Sequence, residues 1–170
     1  FWPPGDTPHG EVVGPLSENS IRAIHKVLMQ GIREDAGQYA KHQRAIRGVD
    51  LILPHPQDIP EEMALLSARV NQTRGHPVEH IAKIHADFEA IHPFGDGNGR
   101  VGRLMMIIQL IQHGYAPCVI TVNDKAKYYE CLEYAQNKST THLVCFIAEA
   151  VIKGYEIIGR HLKSGNYSAL

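Results

Sequence analysis

Residues 99–112, GRVGRLMMIIQLIQ, place Val101, Leu104, Met105, Ile108 and Leu110 around so much of a helix that hardly any polar face is left for water. Such a helix is stable only when other elements cover it, so the spacing predicts a central helix surrounded on most sides. The preceding segment supplies one of those neighbours. From Pro77 onward, Val78, Ile81, Ile84, Phe88 and Ile91 recur on one helical face. That pattern ends at His92-Pro93, because the residue before a proline is pushed out of α geometry.

The remaining pieces fit a mainly helical, all-α domain. Ser17 is placed to cap a first helix with Ile21, Ile24, Val27 and Leu28 inward, ending at Gly31. Pro60 opens another, with Met63, Leu66 and Val70 inward, running to about Gly75. Residues 124–137 and 140–163 read as two more helices. Between Tyr39 and Pro60 the pattern becomes β-leaning: Arg44-Ala45-Ile46-Arg47 and Val49-Asp50-Leu51-Ile52-Leu53 hinge at Gly48, which predicts a small hairpin off the helical body. Residues 1–16, rich in proline and glycine, form an irregular lead-in, 17–163 the domain and 164–170 a tail. The chain opens on Phe1 rather than Met, which leaves room for a segment upstream.

At 170 residues one domain is expected, burying roughly two-thirds of its unfolded surface. A formal charge of −1 gives no overall pull toward nucleic acid or anionic membranes, and no apolar run approaches the ~20 residues of a membrane span. Cys118, Cys131 and Cys145 are odd in number and widely spaced, which fits reduced, mostly buried thiols and a cytoplasmic setting.

Any anion preference must therefore be local, and it concentrates in His92-Pro93-Phe94-Gly95-Asp96-Gly97-Asn98-Gly99-Arg100. A loop that runs into a helix start presents unpaired N–H groups and the positive end of the helix dipole, a ready anion site. Gly95, Gly97 and Gly99 permit left-handed angles and close backbone approach to a ligand, and Asn98 can add an amide donor. Arg100 and Arg103 share a helix face, where two cations are unfavourable unless an anion offsets them. Asp96 then suits Mg²⁺ on a polyphosphate. His92 suits a general base that deprotonates a hydroxyl for in-line attack on phosphorus.

Other readings of the loop fare less well. A Walker A loop needs Gly-Lys-Ser/Thr, and a dinucleotide fingerprint needs a preceding strand. An EF-hand starting at Asp96 needs Glu where Ile107 stands. A purely structural helix cap remains an alternative on generic chemistry alone. His76, His80 and His85 lack the order of a zinc-protease helix, and His85 is placed to support the loop by hydrogen bonding. Met105 and Met106 read as core.

This segment, continued by Val101-Gly102-Arg103, resembles the hallmark of the Fic family, His-Pro-Phe-x-Asp/Glu-Gly-Asn-Gly-Arg-x-x-Arg. The likeness extends to LSENSIRAIHKVLMQGI, the hairpin, LPHPQDIPEEM and Tyr128-Tyr129. It implies a compact helical bundle with a β-hairpin flap, and an enzyme that transfers AMP from ATP to a Ser, Thr or Tyr hydroxyl of a protein, releasing pyrophosphate. His92 is then the base, Asp96 the Mg²⁺ ligand, Gly95, Gly97, Asn98 and Gly99 the anion cradle, and Arg100 and Arg103 the binders of the outer phosphates. Phe94 anchors the loop. Ala45, Ile46, Arg47, Gly48 and Val49 dock the target by strand addition. Tyr128, Tyr129 and, a turn or two later, Gln136 or Asn137 form the nucleotide-base pocket. AMP removal, transfer of UMP or GMP, or a nucleotide-binding module without turnover are alternatives at the same site.

Two departures from the family pattern stand out. Gly37-Gln38-Tyr39-Ala40 replaces a common Gly-x-Tyr-Arg, removing a cation near the flap. Thr7-Pro8-His9-Gly10-Glu11-Val12 has the spacing of the family's inhibitory Ser/Thr-x-x-x-Glu-Gly/Asn helix, but its body is non-helical and its last residue wrong. That inhibitory glutamate, which would pair with Arg103, is expected upstream of Phe1, on an antitoxin-like partner, or nowhere. The expected partners are thus ATP, a hydroxyl-bearing protein, such an inhibitory element and, as a homo-oligomer, a second copy of the chain.

Overall fold

The computed structural model describes residues 14–46 and 51–163; the Thr7–Val12 match and the C-terminal tail lie outside them. Six α-helices follow one another: α1 Glu18–Met29, α2 Ile59–Val70, α3 Pro77–Ile91, α4 Asn98–Gln112, α5 Lys125–Asn137 and α6 Thr141–Lys163, with a 3-10 turn at Val122–Asp124 before α5. Among the described residues no helix is long and apolar enough to cross a membrane. Ser17 caps α1 through its hydroxyl, with Ser20 completing the capping box.

The hub is α3 rather than α4: it packs against α2, α4, α5 and α6. It does so by serving two cores at once. Val78, Ile81, Ala82 and Ala86 enter one, with Met106, Leu110, Tyr128, Leu143 and Ile147. Ile84, Phe88 and Ile91 enter the other, with Ile21, Ile59, Met63, Leu66, Phe94 and Met105. The expected all-round burial of α4 is incomplete, since Leu104 and Ile108 line an open apolar cleft against α1 and Ile111 is exposed.

Three boundaries or faces differ from the sequence expectation. Val27 points out, 74% exposed, while Ile21, His25 and Met29, four residues apart, form the inner face of α1. Helix α2 stops at Val70, short of Gly75, and the side-chain amide of its C-cap Asn71 accepts from the Leu16 N–H and donates to the Leu16 carbonyl, tying the lead-in to the helix end. No strand occurs among the described residues, so the hairpin expected at 44–53 is not seen as such. Arg47, Gly48 and Val49 lie outside them. At its base, side chains rather than a backbone ladder join the two arms, with Gln43 donating to the Leu53 carbonyl (3.3 Å) and Arg44 to the Pro54 carbonyl (3.2 Å).

Candidate active site

Helix α3 ends on His92, which adopts a left-handed conformation at φ 49° while its N–H still closes onto the Phe88 carbonyl. A histidine tolerates that region only when its surroundings hold it there. Pro93 prevents any return to the helix, and its carbonyl accepts from the Ala40 N–H.

The loop that follows is closed by one side chain. Asn98 Oδ1 accepts from the Phe94 N–H (2.9 Å), and Asn98 Nδ2 donates to the Phe94 carbonyl (2.8 Å). The amide expected to face an anion is 1% exposed and consumed inside the loop. Phe94 is the buried anchor, 0% exposed, and His25 lies flat against it. His25 Nδ1 accepts from the Gly37 N–H, so its proton is on Nε2, which donates to the Asp96 carbonyl (3.0 Å). The support expected from His85 therefore comes from His25. His85 instead bonds the Tyr128 hydroxyl (2.7 Å).

Of the three loop glycines only Gly97 takes a positive φ, 83°, as the N-cap of α4. A Cβ there would also meet Met29 Sδ at 2.8 Å. Its N–H bonds Asp96 Oδ1, and helical hydrogen bonding begins at Arg100. The N–H groups of Asn98 and Gly99 therefore open the helix toward the loop's outer side. Asp96 is exposed there, with Oδ2 3.6 Å from Arg100. Arg103 folds back over the first turn toward Gly99 and lies beside the Tyr128 hydroxyl. Backbone, carboxylate and both guanidiniums thus converge.

Burial is the main reason that the His92 pKa falls below the ordinary histidine value. The Glu89 backbone and the Asp96 carboxylate pull it up, and the Arg44 guanidinium pushes it further down. A neutral imidazole at neutral pH is what a base requires. Arg44, a site neighbour that no motif singles out, reaches from the flap base to the Pro54 and Ile91 carbonyls. It brings a positive charge near His92. Of the flap residues described, Ala45 is exposed and Ile46 half-buried.

Beside Arg103 a cleft of about 300 Å³ is lined by Ile120, Thr121, Val122, Lys125, Tyr128 and Tyr129. Tyr129 is 49% exposed, with the Lys125 ammonium 5.8 Å from its ring. Tyr128, 2% exposed, is mostly core, and Gln136 does not line this cleft. The cleft's other wall, Ile120-Thr121-Val122, carries no motif that marks it in sequence. Three larger clefts, of about 580, 520 and 500 Å³, contain no residue of the loop.

Residues 15–110 match the model of the Fic/DOC family. The chain is 33% identical over 138 residues to a protein adenylyltransferase Fic of Aedes aegypti, covering 79% of this chain and 27% of that protein. A Fic family protein of Desulfovibrio desulfuricans superposes with a TM-score of 0.73 at 29% identity, over 94% of this chain and 51% of its own. A Fic domain containing signaling protein of Bacteroides thetaiotaomicron gives 0.75 at 25% identity, over 82% and 61%. The chain spans little more than a quarter of the length of the curated relatives it matches.

Proposed function

The chain belongs to the Fic/DOC family, and from that premise we propose that it transfers AMP from ATP to a Ser, Thr or Tyr hydroxyl of a protein. The observation that carries this reading is the convergence of a half-buried, neutral His92 with the N-terminus of α4, Arg100 and Arg103. The hydroxyl oxygen attacks the α-phosphorus, the bond from that phosphorus to the β-bridging oxygen breaks, and pyrophosphate leaves. Nδ1 of His92 is buried, so Nε2 is the nitrogen that takes the hydroxyl proton.

The chain's residues divide the remaining work. Backbone N–H groups at Asn98 and Gly99, and the cap Gly97, cradle phosphate oxygens at the positive end of the α4 dipole. Arg100 and Arg103 fix the outer phosphates. Tyr129, with Lys125 beside it, offers the adenine a stacking face.

Asp96 is the residue that would hold Mg²⁺. Its exposed carboxylate fits an ion shared with phosphate oxygens and water, and among the described residues no group of three acidic, His or Cys side chains forms a closed metal cage. Bound there, the ion would offset charge on the polyphosphate. The described residues of the flap, Ala45 and Ile46, fit a docking edge for an extended target segment, and Arg103 is the group an inhibitory glutamate would engage. Two buried thiols, Cys118 and Cys131, suit a reducing compartment.

Incubation with α-labelled ATP and Mg²⁺ tests the reading. Label is expected on a target protein or on the enzyme itself, and His92→Ala should reduce it by roughly 10²–10⁴-fold. Undiminished labelling by that variant overturns the mechanism. Stronger labelling from UTP or GTP would transfer it to another nucleotide.

A further inference from the structure

One turn before His92 on α3 sits a carboxyl that the reaction above does not use. Glu89 is 5% exposed, its Oε1 has no hydrogen-bond partner, and its Oε2 is 3.9 Å from His92 Nδ1. An uncompensated carboxyl in such a place is costly, and here the space around it is tight. A Cβ on Gly102 would collide with Glu89 Oε1 and approach His85 and Phe88, so the second turn of α4 comes against this carboxyl only because residue 102 is glycine.

The charged and titratable groups facing Glu89 are few. On its own helix there are His92 and, at the shared contact on Gly102, His85. From α4 there is the Arg103 guanidinium, and from α5 the Tyr128 hydroxyl. Glu89 is the one acid among them, and it stands behind the nitrogen of His92 that points away from substrate.

We propose that Glu89 is a positioning residue for proton transfer: its carboxylate turns the Nδ1–H of His92 inward, presents the Nε2 lone pair to the target hydroxyl, and stabilises the imidazolium that forms. The proposal rests on the adenylyl-transfer reading for its consequence but not for its geometry. The 3.9 Å separation is an ion-pair distance; hydrogen bonds of this kind are often long before substrate binds and shorten in the reacting complex. Burial pushes the Glu89 carboxyl up to about 7, with Arg103 pulling the other way, so its charge changes near neutrality. The proton taken from the hydroxyl stays on His92 Nε2 throughout, and Glu89 supplies charge and orientation only.

The test is a pH titration of the His92 ring nitrogens by ¹H–¹⁵N correlation, in the protein as it stands and in Glu89→Gln. The unmutated protein should show the tautomer with the proton on Nδ1, and a second inflection near 7 as Glu89 ionises. In Glu89→Gln that inflection should vanish, and the share of the tautomer with the proton on Nδ1 should fall. Labelling from α-labelled ATP should fall at least tenfold at saturating ATP with KM for ATP unchanged, and the rising limb of the rate profile near 7 should be lost. Identical ring titrations and tautomers in the two proteins overturn the proposal whatever the activity. If the variant fails to fold, the second inflection in the unmutated protein decides by its presence or absence. A chain whose ring titration behaves as stated but labels nothing retains the positioning role and loses the adenylyl-transfer reading.

Discussion

The imidazole of His25 lies on the ring of Phe94 with 3.7 Å between centroids and 4° between planes, while its two nitrogens join Gly37 to Asp96. One side chain from α1 thus fixes the floor, the rim and the neighbouring loop of the candidate site. Burial holds this imidazole below the usual histidine value, against the pull of the Asp96 carbonyl and the Asp35 carboxylate, so the neutral tautomer that makes both bonds is the stable one.

Replacing His25 by Ala removes the stacked ring and leaves the Gly37 N–H and the Asp96 carbonyl without partners. The expected cost is about 3 kcal/mol, from the cavity and the two lost hydrogen bonds together. Urea unfolding measures it. ATP affinity should fall in the same variant, because Asp96 is no longer held beside the start of α4.

The buried His85 and Glu89 give opposite dependences of stability on pH. Burial takes His85 down to about 4, so its unfolded form binds the extra proton and its contribution is lost as pH falls from 6.5 toward 4. Burial takes Glu89 up to about 7, so its contribution is lost as pH rises from 4.5 toward 7. Between 4.5 and 6.5 the two slopes oppose each other. His25 and His92, also held below the ordinary histidine value by burial, add to the His85 slope, so thermal melts of the unmutated protein should show stability falling on acidification with Glu89 offsetting part of the loss, and Glu89→Gln should show a steeper fall.

Tyr128 and Tyr129 are neighbours with separable roles. Tyr129→Ala should weaken ATP binding several-fold, the value of about 1 kcal/mol of stacking, with little change in melting temperature. Tyr128→Phe should leave adenine recognition nearly intact but cost stability by about 1 kcal/mol through its lost bond to His85. Calorimetric titration with a non-hydrolysable ATP analogue, beside a melting curve for each variant, separates the two effects.

Gly97→Ala meets two obstacles at once, a φ of 83° and the Met29 sulfur. A left-handed alanine costs about 1 kcal/mol and the overpacking 1–3 more. The variant should be destabilised by about 2–4 kcal/mol in a denaturant melt and should lose nucleotide binding. A near-neutral result would mean that the α4 cap is not held in this conformation.

What the sequence made legible is whatever a local pattern states. The apolar spacing of Val78, Ile81, Ile84, Phe88 and Ile91, and the proline after His92, locate α3 and its end without any knowledge of the fold. The roles proposed for His92, Asp96 and Arg100 rest on residue type and spacing, which are local in the same way. The parts that were missed depend on partners distant in the chain. Nothing near His25 in sequence distinguishes it from another member of an apolar stripe, because the groups that define it, Phe94 and Asp96, lie about 70 residues away. Asn98 misled in the opposite sense: its amide was legible as a donor, but whether it faces a ligand or closes its own loop depends on the turn at Phe94. Val27 fits the α1 stripe by spacing, yet the helix is rotated so that the face bearing His25 is buried.

The division of α3 between two cores has a consequence for evolution and engineering. A lesion deep in the α5–α6 half, far from any phosphate, displaces the same rod that carries Glu89 and ends at His92. Neither half can drift to a new packing while the other keeps His92 in register. Tolerance to change is therefore expected at the rim, in the flap and along the outer faces of α2 and α6, where sequence can diverge without moving that rod.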